Sequence, residues 1–216
     1  MSTFESLSWP EIASHFSERV TASNSLKQLY KSNRIVEFAE LAVGLNDSTG
    51  NYSANQHGLG GPILTNNRNS QAQIFSLAGQ FLNLKSARTV PEIINKAQIA
   101  YLGIGVGSEI SCMMNPSICW VANTRTTWAH LVIEYDDNIG TANEALKLYR
   151  SSDTTSKMAY QIWADMHARL ETSMTRLYEM GRPEALRLGI DPSQAKYLWA
   201  DAISNNLYDL YHSDTA

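Results

Sequence analysis

"YLGIGVGSEISCMMNPSICW" occupies residues 101–120, and its reading decides the fold. If Gly103, Gly105 and Gly107 cradle a phosphate, they belong between a buried strand and a helix, with an acidic residue about 20 residues further on, and the chain is α/β. The residues before them do not read as a strand. Thr89-Val90-Pro91-Glu92 is a capping box with proline in the first turn, followed by the helical run Ile93, Ile94, Ala97, Ile99 and Ala100. The glycines therefore read as a helix's C-terminal stop, and no G-x-x-x-x-G-K-[ST] loop is present. Cys112 and Cys119 have no second cysteine pair, and His130 is the nearest histidine. Zinc takes a tetrahedral set of ligands, more than these supply, so both cysteines are expected in the core, with no metal and no cofactor.

Outward from this stretch, helix signals dominate. Ser8-Trp9-Pro10-Glu11 repeats the capping pattern, and Thr141-Ala142-Asn143-Glu144 gives another before Ala145, Leu146 and Leu148. Met158, Ile162, Met166, Leu170, Met174 and Leu177 recur at steps of three and four, the stripe of a long amphipathic helix that Gly181 is expected to end. Asp165 and Arg169 are placed as an i,i+4 pair on another face. Asp191-Pro192-Ser193-Gln194 starts a final helix carrying Tyr197, Leu198, Trp199, Ile203, Leu207 and Leu210. One short strand is expected at Leu131–Tyr135. Residues 46–69, "NDSTGNYSANQHGLGGPILTNNRN", have no periodicity and read as a long loop of the kind usually tied to function. The expected organisation is an N-terminal arm and helical lobe over residues 1–45, this polar loop, a helical core over 70–180, and a C-terminal segment over 181–216.

The net charge of −4 is uneven: residues 1–100 carry 8 basic and 7 acidic groups, and 101–216 carry 9 and 14. Bulk electrostatic attachment to nucleic acid needs a basic protein, so any such binding must use a few local cations. Only 18% of residues are charged, below the usual quarter or so. Such a surface is readily desolvated against copies of itself, though it equally fits an ordinary neutral domain. Met1–Ser25 lacks the apolar segment of a secretory signal, and no apolar run approaches the about 18 residues of a membrane span. With two cysteines, a soluble intracellular chain is expected.

No catalytic constellation stands out. The five histidines are scattered, and neither a Gly-x-Ser-x-Gly elbow nor a His-Glu-x-x-His pair occurs. Glu134, Asp136 and Asp137 form an acid cluster without a second carboxylate group to work against, which favours a helix-end or ion-pair role. No enzyme is expected, although a triad assembled only by the fold stays open.

Around that cluster, "NPSICWVANTRTTWAHLVIEYDDNIGTANEA" resembles the central region of coat proteins of flexible filamentous plant viruses, the potexvirus-like group. Asn115, Pro116 and Trp120 match the family's Pro-and-Trp segment, and Tyr135 and Asp136 match its aromatic-Asp pair. Asn138, Gly140 and Asn143 match the Asn, the Gly and the Ala-rich helix start that come after that pair. "SARTVPEIINKAQIAYL" sits where the family has a Thr-Leu-Arg-Gln helix. "LYRSSDTTSKMAYQIWADMHARL" resembles its arginine, polar turn and Ala-rich helix. The likeness runs from Val36 to Leu170. Pro91 and Glu92 replace the family's Arg and Gln, so the aspartate's partner falls to Arg88 or another residue, and nothing after Gly181 matches.

The resemblance implies an all-α core with an extended N-terminal arm and C-terminal tail, single-stranded RNA in a groove, and copies of the chain in a helical filament. The location implied is the virion, with host cytoplasm during assembly. Ser48, Thr49 and Gly50 carry over as groove residues, Asp136 as a pocket acid and Arg169 as a phosphate contact; Arg88 and Arg125 are added on charge alone. The competing reading is a small oligomeric helical binding or regulatory protein of a microbe or phage, without catalysis.

Overall fold

A computed structural model describes residues 3–47, 52–150 and 157–212. The fold is all-α: among the described residues there are eleven helices and no strand. They are α1 Trp9–Lys31, α2 Ile35–Ala42, α3 Ser53–Gln56, α4 Gly60–Thr65, α5 Ser70–Leu82, α6 Val90–Ala97, α7 Ile104–Met114, α8 Thr124–Glu134, α9 Ile139–Arg150, α10 Lys157–Arg187 and α11 Lys196–His212.

The stretch 101–120 forms the centre. Every residue of α7 except Gly105 is buried, as a helix apolar or small on nearly every side demands, its one charge, Glu109, included. It packs against α1, α3, α5, α6, α10 and α11. Its serines are satisfied inside: Ser108 Oγ donates to the Gly105 carbonyl (3.0 Å) and accepts from Ala122 N (2.9 Å), and Ser111 Oγ donates to the Ser108 carbonyl (2.7 Å). Cys112 and Cys119 are buried free thiols. Burial pushes both thiols up, Cys119 to about 12. The glycines open α7 rather than close α6, whose stop is Gln98 in the left-handed region at φ 50°. Gly107 is needed for closeness: a Cβ there would lie 2.5 Å from Ile94 Cδ1 of α6.

Several boundaries differ from expectation. Leu131–Tyr135 is not a strand, because Asn123 accepts from Arg125 N and Thr126 N while Thr126 Oγ1 accepts from Asn123 N, a capping box that launches α8 through Glu134. α9 starts at Ile139, with Asn138 Oδ1 accepting from Thr141 N, so the box at Thr141 lies inside the helix. α10 runs through Gly181 and Pro183 to Arg187. Gly181 is the crossing point with α11, since a Cβ there would lie 2.5 Å from Ile203 Cδ1 and 2.7 Å from Trp199 Nε1. The apolar stripe of α10 is fully buried only from Met166 onward, and Met158 is exposed. Asp165 accepts from Gln161 Nε2 (2.8 Å), whereas Arg169 pairs with Glu134 of α8.

The helices of the expected arm and tail regions pack into the core. α1 packs along α11, and α11 supplies Leu198, Trp199, Ala200, Ala202, Ile203 and Leu207 to the core, so both ends of the chain are core elements. Phe16 meets Trp199 edge-on at 5.2 Å, and Ser8 N donates to Asn206 Oδ1. The described part of the 46–69 loop winds into α3 and α4, with Tyr52, Ala54 and Ile63 buried. No helix of the described residues is long and apolar enough to cross a membrane.

Candidate nucleic-acid interface

The residues expected to contact RNA do not converge on one site. Ser48, Thr49 and Gly50 lie outside the described residues. Arg125, near the start of α8, donates to Asp209 Oδ1 of α11 (2.6 Å), and its guanidinium sits 5.3 Å over the Tyr208 ring. Arg169 donates to Glu134 Oε1 (2.5 Å). That carboxylate also lies 3.1 Å from His130 Nε2, and His130 Nδ1 meets Ser173 Oγ at 2.7 Å. Burial holds His130 below its ordinary pKa against the opposing pull of Glu134. Asp136 comes two residues later in a left-handed turn, φ 49°, and is exposed rather than enclosed in a pocket. It shares the C-terminal end of α8 with Arg169 without pairing to it; its neighbour Asp137 accepts from Thr3 N (3.3 Å). Arg88 lies elsewhere, bonded to Glu171 of α10 through Nε (3.0 Å) and Nη2 (2.9 Å). Arg169 and Glu171 are two residues apart, about 200° around the helix, so Arg88 and Arg169 face different neighbours of α10.

A basic hairpin gathers around Arg88. Ile74, Leu77, Ala78 and Phe81 turn α5 inward at steps of three and four. Asn115 Nδ2 then donates to the Phe81 and Leu84 carbonyls (3.1 and 3.2 Å), closing the helix end, and Ser86 Oγ accepts from Arg88 N to begin the turn into α6. α6 buries Val90, Pro91 and Ile94. The polar positions left outside are Arg68 before α5, Lys85 and Arg88 in the connection, and Lys96 on α6, all exposed. Residues 66–100 hold these four cations and a single acid, Glu92, in a chain whose net charge is −4, and Glu171 of α10 is a second acid against Arg88. The bonds that restrain them are weak. Arg88 is 71% exposed in its pair with Glu171 and Lys96 72% in its pair with Glu92; such pairs contribute about 0–1 kcal/mol and exchange readily for phosphate. Arg125, at 26% exposed and stacked on Tyr208, is held more firmly in the fold.

A groove of about 520 Å³ lies between α1 and residues 41–47, and it has the opposite character. Its α1 wall is a hydroxyl stripe in which Ser17, Thr21 and Ser25 each donate to the carbonyl four residues back (2.8, 2.9 and 3.0 Å). Glu18 and Asp47 stand among them, so the charged residues lining this groove are acids rather than cations.

Sequence reading also missed a buried ionic cluster. Arg19 of α1 is 2% exposed, donates to Glu109 Oε1 of α7 (2.7 Å), lies 3.8 Å from Asp201 Oδ2 of α11 and sits 4.9 Å over the Tyr52 ring. Glu109 Oε2 accepts from Ser53 N (2.9 Å), which ties the start of α3 to the core. Burial raises the Asp201 carboxyl to about 6 against the opposing pull of Arg19, and Glu109 adds to the rise. One signal for Arg19 was available: it shares the three-and-four spacing of Ile12, Phe16, Ser23 and Leu26, which places it on the buried stripe of α1.

Among the described residues, the fold is an all-helical domain whose α5–α6 hairpin carries four exposed cations. Compared with protein-family models, curated proteins and solved structures, the chain matches none.

Proposed function

We propose that the chain is a structural coat or nucleocapsid subunit that packs against copies of itself in a helical filament and holds single-stranded RNA along the α5–α6 hairpin. The observation that carries this reading is the basic hairpin: Arg68, Lys85, Arg88 and Lys96 stand exposed in a stretch, residues 66–100, that holds one acid, on an otherwise acidic chain. Repeated along a filament, a few cations per subunit suffice, because subunit contacts add cooperativity to phosphate binding. The order of motifs from Asn115 to Asn143 supports the same class.

Exposed apolar side chains supply material for subunit contacts. Met158 and Leu186 stand near opposite ends of α10, about 42 Å apart along its axis at 1.5 Å per residue. Exposed apolar side chains near two ends suit a head-to-tail contact, the kind that propagates when rotation does not close a ring. Packing of both α1 and α11 into one core favours a second reading, a small closed oligomer, because among the described residues neither end forms an arm to exchange.

Electron microscopy of the purified chain with and without RNA, alongside the nucleic-acid content of the particles, tests the proposal. RNA-containing filaments are expected. Closed rings free of nucleic acid would favour the second reading, and a monomer that binds no RNA at low salt would remove the first.

A further inference from the structure

The turn between α6 and α7 presents an aromatic ring that phosphate contacts do not account for. Asn67 clamps it: Asn67 Oδ1 accepts from Ala100 N (2.8 Å), and Asn67 Nδ2 donates to the Ala100 and Ile63 carbonyls (3.2 and 2.9 Å). Ile99 and Leu102 anchor the turn in the core, while Tyr101 between them is 56% exposed. Its backbone is left-handed, φ 67°, a conformation that glycine adopts freely and a bulky residue does not. The fold therefore holds a tyrosine in a strained conformation at a largely exposed position. A Cβ on Gly103, two residues on, would meet nothing within 4 Å, so the turn is open to solvent there as well.

Arg68 comes directly after Asn67, as Tyr101 does after Ala100, so both side chains spring from the two sides of one clamp. Arg68 is exposed and makes no hydrogen bond or ion pair with any described residue. An exposed aromatic ring and an unbonded guanidinium on neighbouring residues of one clamp supply the parts of a sequence-tolerant platform for an unpaired base, the ring stacking and the cation adding phosphate or π contact.

We propose that Tyr101 and Arg68 form a base-stacking platform for single-stranded RNA, at the end of the α5–α6 hairpin away from Lys85 and Arg88. This rests on the RNA-binding reading and adds to it the contact made with a base. The platform lies beyond the segment Lys85–Lys96, so a strand running along α6 reaches phosphate contacts first and the ring at its end.

The test is fluorescence anisotropy of a short labelled oligouridylate with the full chain over a range of salt, using Tyr101→Gly, Tyr101→Trp, Arg68→Ala and the pair Lys85→Ala/Arg88→Ala. Tyr101→Gly is expected to weaken binding about tenfold with an unchanged salt slope, since stacking releases no counterions. It relieves the left-handed strain, so its melting temperature is expected to hold or rise, which separates lost binding from lost folding. Tyr101→Trp should keep wild-type affinity. Arg68→Ala is expected to weaken binding and lower the slope by about one, and the Lys85/Arg88 pair to lower it by about two.

If Tyr101→Gly binds as tightly as the wild type while the Lys85/Arg88 pair loses slope, the platform is wrong and the RNA reading stands. If the wild type binds no RNA at low salt, the RNA reading falls and the platform with it. If Tyr101→Gly abolishes self-association in sedimentation without changing affinity for RNA, the ring is a subunit contact and the platform is overturned.

Discussion

Replacing Arg19 by Met removes the one cation from a buried cluster and leaves two carboxylates behind. Arg19 and its partners Glu109 and Asp201 have side chains only 2–4% exposed, so water cannot take over when the guanidinium is gone. Breaking such a pair from one side costs about 3–5 kcal/mol, a large part of the roughly 5–15 kcal/mol that holds a domain together. Methionine fills much of the vacated volume, which keeps the cavity contribution small. The melting temperature should fall by roughly 6–20 °C, at about 2–4 °C per kcal/mol for a chain of this size.

The pH dependence gives the sharper check. Burial raises Asp201 to about 6 even with Arg19 in place, and losing the cation moves it further in the same direction. A carboxyl whose folded pKa lies above its unfolded value contributes stability present below the unfolded pKa, about 4, and lost as pH rises through the folded one. The deficit of Arg19→Met is therefore largest at pH 7 and shrinks toward pH 5. Urea unfolding followed by circular dichroism and tryptophan fluorescence at both pH values measures it. Adding Glu109→Gln and Asp201→Asn to Arg19→Met should recover part of the loss. A deficit below about 1 kcal/mol at pH 7, the scale of an ordinary point change, or one that grows on acidification, would refute the account.

Gly181→Ala should destabilise by about 1–3 kcal/mol in urea despite the better helix propensity of alanine, because the new Cβ meets Ile203 and Trp199; a neutral or stabilised variant would mean that α10 and α11 cross elsewhere. Cys112 and Cys119 should resist a thiol reagent at pH 8 in the native chain and react on unfolding, since burial holds both thiols protonated; rapid native labelling would contradict their placement. His167 is fully buried against Trp120, and burial lowers its pKa to about 4. Its contribution is present above the unfolded value near 6.5 and lost as pH falls through about 4, roughly 3 kcal/mol in all. His167→Phe should therefore lose less stability between pH 7 and 4.5 than the wild type, and equal acid sensitivity would count against it.

The all-α fold was legible because helix starts and stripes are local. Pro10, Pro91 and Pro192 stand where helices or their lead-in turns begin, and Leu170, Met174 and Leu177 are buried on the face their spacing gives them. Burial of both cysteines comes as directly from an apolar run. The charge count over 66–100, four cations to one acid, was there to be read in the sequence, whereas the acids lining the groove beside Asp47 come together only in the fold.

The chain's local code leaves open which distant groups meet. Arg169 passes over Asp165, four residues away, for Glu134 on another helix, because α8 packs against α10 and brings a carboxylate within 2.5 Å. Gly181 looks like a stop until Trp199 and Ile203 arrive to require the missing side chain. Arg19, Glu109 and Asp201 are separated by 90 and 92 residues and share a core only once α1, α7 and α11 are stacked. Helix propensity and capping act over about four residues and are written locally. Desolvation, ion pairing and close backbone approach depend on partners that folding alone brings together, so the tertiary structure decided them.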